Sequence, residues 1–140
     1  MTNVRQQNRN EIPNPSNLIR DRGFLDQEVL NLIETFAAHT LQGEGGRNTI
    51  NQLRKVYNQI RIMKQQADAE DDPSQFVQLQ SRLLKAQVSY AKARTLTTTN
   101  FKDFFDVCMD RLRANPNELD DLVTMFEIFY AYAYSAGGRT

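Results

Sequence analysis

Three arginines of this 140-residue chain, Arg47, Arg54 and Arg61, stand seven positions apart. On a helix a seven-residue step drifts by only ~20°, so the three form one column of cations. Asn51 and Asn58 lie beside that column and add hydrogen-bond donors. Further along, Arg82, Lys85, Ser89 and Lys92 follow the spacing i, i+3, i+7, i+10, which is one face of a second helix. Arg94 falls instead on the apolar side, with Phe76, Leu83 and Tyr90. The chemistry such columns offer is neutralisation of a polyanion, salt-dependent and largely indifferent to base sequence.

The whole chain carries 17 Lys+Arg and 17 Asp+Glu, a net charge of zero, which excludes a protein that coats nucleic acid by bulk positive charge. By segment the charges separate. Residues 47–67 hold Arg47, Arg54, Lys55, Arg61 and Lys64 and no acid, and residues 74–100 hold Arg82, Lys85, Lys92 and Arg94 and no acid. The balancing acids sit in residues 25–46, 68–73 and 101–121. A solvated helix face ordinarily mixes signs, because opposite charges at i,i+4 stabilise it. The expected phosphate-binding set is therefore Arg47, Arg54, Lys55, Arg61, Lys85, Lys92 and Arg94. The competing reading is of solvated faces, some paired with the acidic first and fourth helices expected at 26–40 and 101–114, and for Arg94 of a cation bonding the last carbonyls of its helix.

Other chemistries find little support. One histidine (His39) and one cysteine (Cys108) exclude an intramolecular disulfide and any metal site built on Cys or several His. His39 lacks a paired nucleophile and stands where a helix-end dipole partner would, and Cys108 lies in an apolar stripe, as a structural thiol does. The loop Gly43-Glu44-Gly45-Gly46-Arg47 lacks the Gly-Lys-Ser/Thr ending of a phosphate loop. The acids Asp68–Asp72 lack the central Gly and terminal Glu of a calcium loop, and Asp120, Asp121 and Glu127 have no metal-ligand spacing. No enzyme and no cofactor are expected. Apolar runs fall far short of the ~18 residues of a membrane span. The polar start of the chain lacks the apolar centre of a signal peptide, so a soluble cytoplasmic protein is expected.

The elements that position these residues are all helical, and no segment alternates with period two. Residues 1–24, rich in Asn, Gln and Arg with Pro13 and Pro15, are expected to form a flexible polar arm, and residues 25–140 a single compact bundle of about five helices. The first expected helix spans 26–40, with Val29, Leu30, Leu32, Ile33 and Phe36 apolar. The second runs from 48 or 49 to 66, with a capping box at Thr49 and Gln52. The third starts from Asp72 and Pro73 and continues to 94; its main stripe is Phe76, Leu79, Leu83, Ala86 and Tyr90, and a second apolar side of Val77, Leu84, Val88 and Ala91 suggests a central position. The fourth spans 101–114. The fifth follows Asn115-Pro116-Asn117-Glu118 and ends near 135, before Gly137-Gly138. It is apolar nearly all round, so it is either central or at an interface, and its tyrosines favour an interface, through Phe126, Phe129, Tyr130 and Tyr132.

Three segments in order carry a family resemblance: Leu53-Arg54-Lys55-Val56-Tyr57-Asn58-Gln59-Ile60, then Leu84-Lys85-Ala86-Gln87-Val88-Ser89-Tyr90-Ala91-Lys92-Ala93-Arg94, then Phe126-Glu127-Ile128-Phe129-Tyr130-Ala131-Tyr132 followed by Gly137-Gly138. From about 25 to 138 the chain resembles the small helical subunit of the type III-A CRISPR–Cas effector of antiviral defence, the Csm complex. That resemblance implies a non-catalytic all-helical protein that stacks in several copies beside the repeated backbone subunit, lines the channel for target RNA and helps hold the guide–target (crRNA–target RNA) duplex. It also implies contact with the large subunit's assembly, with target cleavage left to the backbone subunit. Arg54, Lys85 and Arg94 match the basic positions of the first two motifs. Family members often carry a basic residue just after the Ala-Tyr of the third motif, where this chain has Ala133-Tyr134. An alternative from the residues alone is a helical adaptor or homodimerising scaffold that binds protein and no RNA.

Overall fold

The computed structural model describes residues 13–41 and 49–138. Among them the order is α1 (Ser16–Arg22), α2 (Gln27–His39), α3 (Thr49–Asp68), α4 (Ser74–Ala93), α5 (Thr99–Ala114), a 3-10 turn (Pro116–Glu118), α6 (Leu119–Ala133) and a π turn (Tyr134–Gly138). The described residues contain no strand, and the architecture is the all-helical bundle expected, with six α-helices where about five were anticipated.

Local signals set most helix ends. Asp26 caps α2 by accepting from the N–H groups of Glu28 and Val29, at 2.9 and 3.3 Å. The Asp72 side chain accepts from the N–H of Ser74 at 3.3 Å, and Pro73 stands at the N-cap of α4. Thr98 caps α5 by accepting from Phe101 N–H at 3.2 Å, and its hydroxyl donates to the carbonyl of Thr40, 58 positions earlier. α4 ends in a Schellman turn. Leu96 N–H reaches Ala91 O at 2.9 Å and Thr95 N–H reaches Lys92 O at 2.9 Å, with Thr95 at φ 58° where glycine is usual.

Two parts of the fold depart from expectation. Residues 13–24 belong to the stretch expected as an arm, yet α1 lies there, and Ile19 and Phe24 are fully buried against the core. The reason is tertiary: the Arg111 guanidinium on α5 donates to the carbonyls of Ile19 and Arg20 at 3.2 and 3.1 Å while Glu118 takes its other edge at 2.7 and 2.8 Å. Gly23 completes the docking. Its φ of 100° and ψ of 178° suit glycine alone, and a Cβ there would meet the same guanidinium at 3.4 Å. The rest of the expected arm, residues 1–12, lies outside the described residues.

The second departure concerns α4. Its buried side is Val77, Ser81, Leu84, Val88 and Ala91. Of the stripe expected to be the core face, Phe76 is half-buried against the core, but Leu79 is 55%, Leu83 47% and Tyr90 63% exposed. Small and β-branched residues allow α4 to settle closely onto α5 and α3, so the larger side chains are left outside. α4 is therefore a peripheral helix, not the central one that two apolar sides suggested.

The centre of the core is aromatic. Phe129 on α6 packs against Phe36, Phe101, Phe104 and Phe126, with ring centroids 5.1–6.1 Å apart. Phe126 and Phe129 are both 0% exposed. These two residues, expected at an interface, are thus occupied by the chain's own core. Only Tyr130, half-buried, and Tyr132, 40% exposed, reach the surface from the expected interface set.

Candidate nucleic-acid interface

The turn at 69–73 folds α4 back beside α3. The first half of α3 faces the second half of α4, and between them opens a cleft of about 300 Å³. Its floor is Val56, Val88, Ala91, Leu96 and Phe101; its polar groups are Gln52, Lys55 and Gln59 from α3 and Gln87, Tyr90 and Arg94 from α4. The Schellman turn has a direct part here, since it ends α4 with Arg94 at the C-cap and brings Leu96 and Thr97 back into the cleft wall. Arg94 donates to Tyr90 Oη at 3.1 Å, and its guanidinium carbon lies 5.7 Å from the centre of the Tyr90 ring.

A shallow dish adjoins the cleft on the outer side of α3. Asn51, Gln52, Arg54, Lys55 and Asn58 line it, so Gln52 and Lys55 belong to both depressions. No carboxylate lines either one. Arg54 is held across the gap to α6, where its Nε donates to Tyr130 Oη at 2.9 Å and its Nη1 to Asn51 Oδ1 at 3.2 Å. Tyr57 stacks on Tyr130 with centroids 5.1 Å apart and donates to Glu127 Oε1 at 3.2 Å. Partial burial, then the bond to Glu127, push the Tyr57 phenol above its ordinary value. One turn on, the Arg61 guanidinium lies 5.7 Å from the centre of the Tyr57 ring.

The seven cations expected from spacing are thus sorted by the fold. Lys55 and Arg94 meet at the cleft, and Arg54 and Arg61 run along the neighbouring aromatic edge. Among the described residues no carboxylate pairs with any of these four. Lys85 turns the other way, toward α5, and its ammonium donates to Asp110 at 2.8 Å. Lys92 is half-buried near the end of α4. Arg47 lies outside the described residues. Lys64, also in the acid-free stretch, bonds Asp68 and lies 3.0 Å from Asp120, and these two carboxylates hold its ammonium above the usual lysine range. Pairing with the acidic first and fourth expected helices, the competing reading of the basic stretches, therefore holds for Lys85, whose partner Asp110 lies on α5, while Lys64 pairs with Asp68 of its own helix and with Asp120 on α6.

Spacing had not singled out the amide lining of Gln52, Gln59 and Gln87, although Gln52 and Gln59 stand seven apart like the arginine column. Elsewhere, Cys108 is wholly buried, and burial pushes its thiol far up, away from nucleophilic chemistry. His39 is exposed, with Nδ1 2.9 Å from the Thr35 carbonyl at the end of α2. Among the described residues no group of His, Cys, Asp and Glu could hold a metal ion, and no helix is long and apolar enough to cross a membrane.

A family model described as Csm2 Type III-A matches residues 27–139. No curated protein and no solved structure matches the chain.

Proposed function

The chain belongs to the Csm2 Type III-A family of small subunits of the type III-A CRISPR effector, and from that membership we propose that it is a non-catalytic subunit that holds guide and target RNA by the phosphate backbone and stacks in several copies. Base pairing between guide and target carries the sequence information, and the small subunit supplies charge and shape. Such a division of labour operates in other RNA-guided complexes.

The observation that carries this reading is the acid-free surface shared by the cleft and the dish, where Arg54, Lys55 and Arg94 gather from two helices. Arg61, on the aromatic edge beside the dish, and Lys92, near the end of α4, extend it as secondary contacts, while Lys85, bonded to Asp110 on the α5 side, stands apart from it. Stacking of copies, and contact with the backbone and large subunits, draws support from the bare side of α4 (Leu79 and Leu83), from Ile62 at 51% exposed on α3, and from Tyr132.

The test is titration of single-stranded RNA against the Lys55→Glu/Arg94→Glu variant at several salt concentrations. Two lost phosphate contacts should lower the salt slope by about 1.4, from ~0.7 per contact. An unchanged affinity and slope would overturn the reading. The exposed leucines favour a second reading, a protein-only helical adaptor, which requires no salt-dependent RNA binding by the unmodified chain.

A further inference from the structure

The geometry points to more than a backbone clamp: the cleft between α3 and α4 takes one unstacked nucleobase of the bound strand while the dish beside it holds the adjoining phosphates. This inference rests on the RNA reading above and names what that site would contact.

Phosphates need only cations and donors on a surface, and the dish of Asn51, Gln52, Arg54, Lys55 and Asn58 supplies both. A recessed apolar floor adds nothing to such a contact. Yet the adjoining cleft has one, made by Val56, Val88, Ala91, Leu96 and Phe101. A floor of this kind suits the face of a planar, weakly polar group. The walls suit its edge: Gln52, Gln59 and Gln87 each offer an amide carbonyl and an amide N–H₂, the donor–acceptor pair that base edges present.

Size and charge narrow the occupant. About 300 Å³ lies at the small end of ligand sites and suits one base rather than a run of them. Lys55 and Arg94 at the cleft, with no carboxylate in its lining, favour a group that arrives on an anionic chain over a neutral or cationic one. Tyr90 stands beside Arg94 at 63% exposed, a large aromatic left in solvent where it can stack on a splayed base. The shared residues Gln52 and Lys55 make the path continuous, so a nucleotide with its phosphate in the dish has its base next to the cleft.

The experiment compares full-length protein binding to a short unstructured oligoribonucleotide and to an abasic ribose-phosphate strand of the same length, each over a salt series. The base-bearing strand is expected to bind about tenfold more tightly, within what one stacked base contributes, with the same salt slope for both. Gln87→Ala and Tyr90→Ala, both at exposed positions, should shrink that gap several-fold and leave the slope unchanged. Equal affinity for the two strands, with the slope intact, would overturn the base site and leave the backbone reading standing. Failure of both strands to bind at low salt would overturn both.

Discussion

The Nε of Arg54 donates to the phenolic oxygen of Tyr130 at 2.9 Å, joining two helices through residues 76 positions apart. The bond fixes the direction of a cation that would otherwise sweep freely, and the stack of Tyr57 on Tyr130 steadies the acceptor. Tyr130→Phe keeps the ring and removes the acceptor. RNA affinity is expected to fall a few-fold with the salt slope unchanged, because the charge remains and only its placement is lost. Arg54→Ala should lower both, the slope by about 0.7. Fluorescence anisotropy at several salt concentrations distinguishes the two; an unaltered slope for Arg54→Ala would mean that Arg54 touches no phosphate.

Phe129 is in contact with four other phenylalanine rings and has no surface. Phe129→Ala should cost roughly 3–5 kcal/mol of stability in denaturant unfolding. Tyr132→Ala, at a 40% exposed position, should stay within about 0.5 kcal/mol. The reverse order of these two effects would contradict the burial of Phe129 in the core.

Arg111 is the hinge pin of the N-terminal helix. Its guanidinium meets the Glu118 carboxylate along two bonds and the carbonyls of Ile19 and Arg20 along two more. Lysine keeps the charge but cannot present that fork. Arg111→Lys is expected to cost about 1–3 kcal/mol and to speed hydrogen exchange of the Ser16–Arg22 amides while the α6 amides stay protected. Unchanged exchange in that helix would show that Phe24 and Ile19 hold it without the arginine.

Burial and the bond to Glu127 favour the protonated Tyr57 phenol in the folded chain. In the pH range above its unfolded value of about 10, the native state binds more protons than the unfolded one, so stability falls as pH rises. The contribution is fully present below pH ~10 and is lost as pH climbs through the raised folded value. Urea midpoints from pH 8 to 11 should therefore show the advantage of the unmodified chain over Tyr57→Phe shrinking above pH ~10. A constant difference across that range would contradict the shift.

The sequence by itself determined the helices, because their signals are local. The 26–40, 49–66 and 72–94 expectations lie within two residues of Gln27–His39, Thr49–Asp68 and Ser74–Ala93 at every end, since caps such as Asp26 and apolar spacings act within a few residues. The segregation of charge was equally plain, being a matter of counting. Which side of α4 faces inward was not, because Leu79-Leu83-Tyr90 and Val77-Leu84-Val88 have the same period and only the shape of α3 and α5 chooses between them. α1 is not legible in the sequence, because seven residues with little apolar content are not stable alone; its partners, Arg111 and the core around Phe24, come about ninety positions later or only with the whole fold. The same holds for the cations. Spacing placed Lys85 and Lys55 on equal terms, and only tertiary packing sent one to Asp110 and the other to the cleft beside Arg94. Periodicity fixes which residues share a face, but the partner across that face, and so the chemistry left exposed, is a property of the assembled bundle.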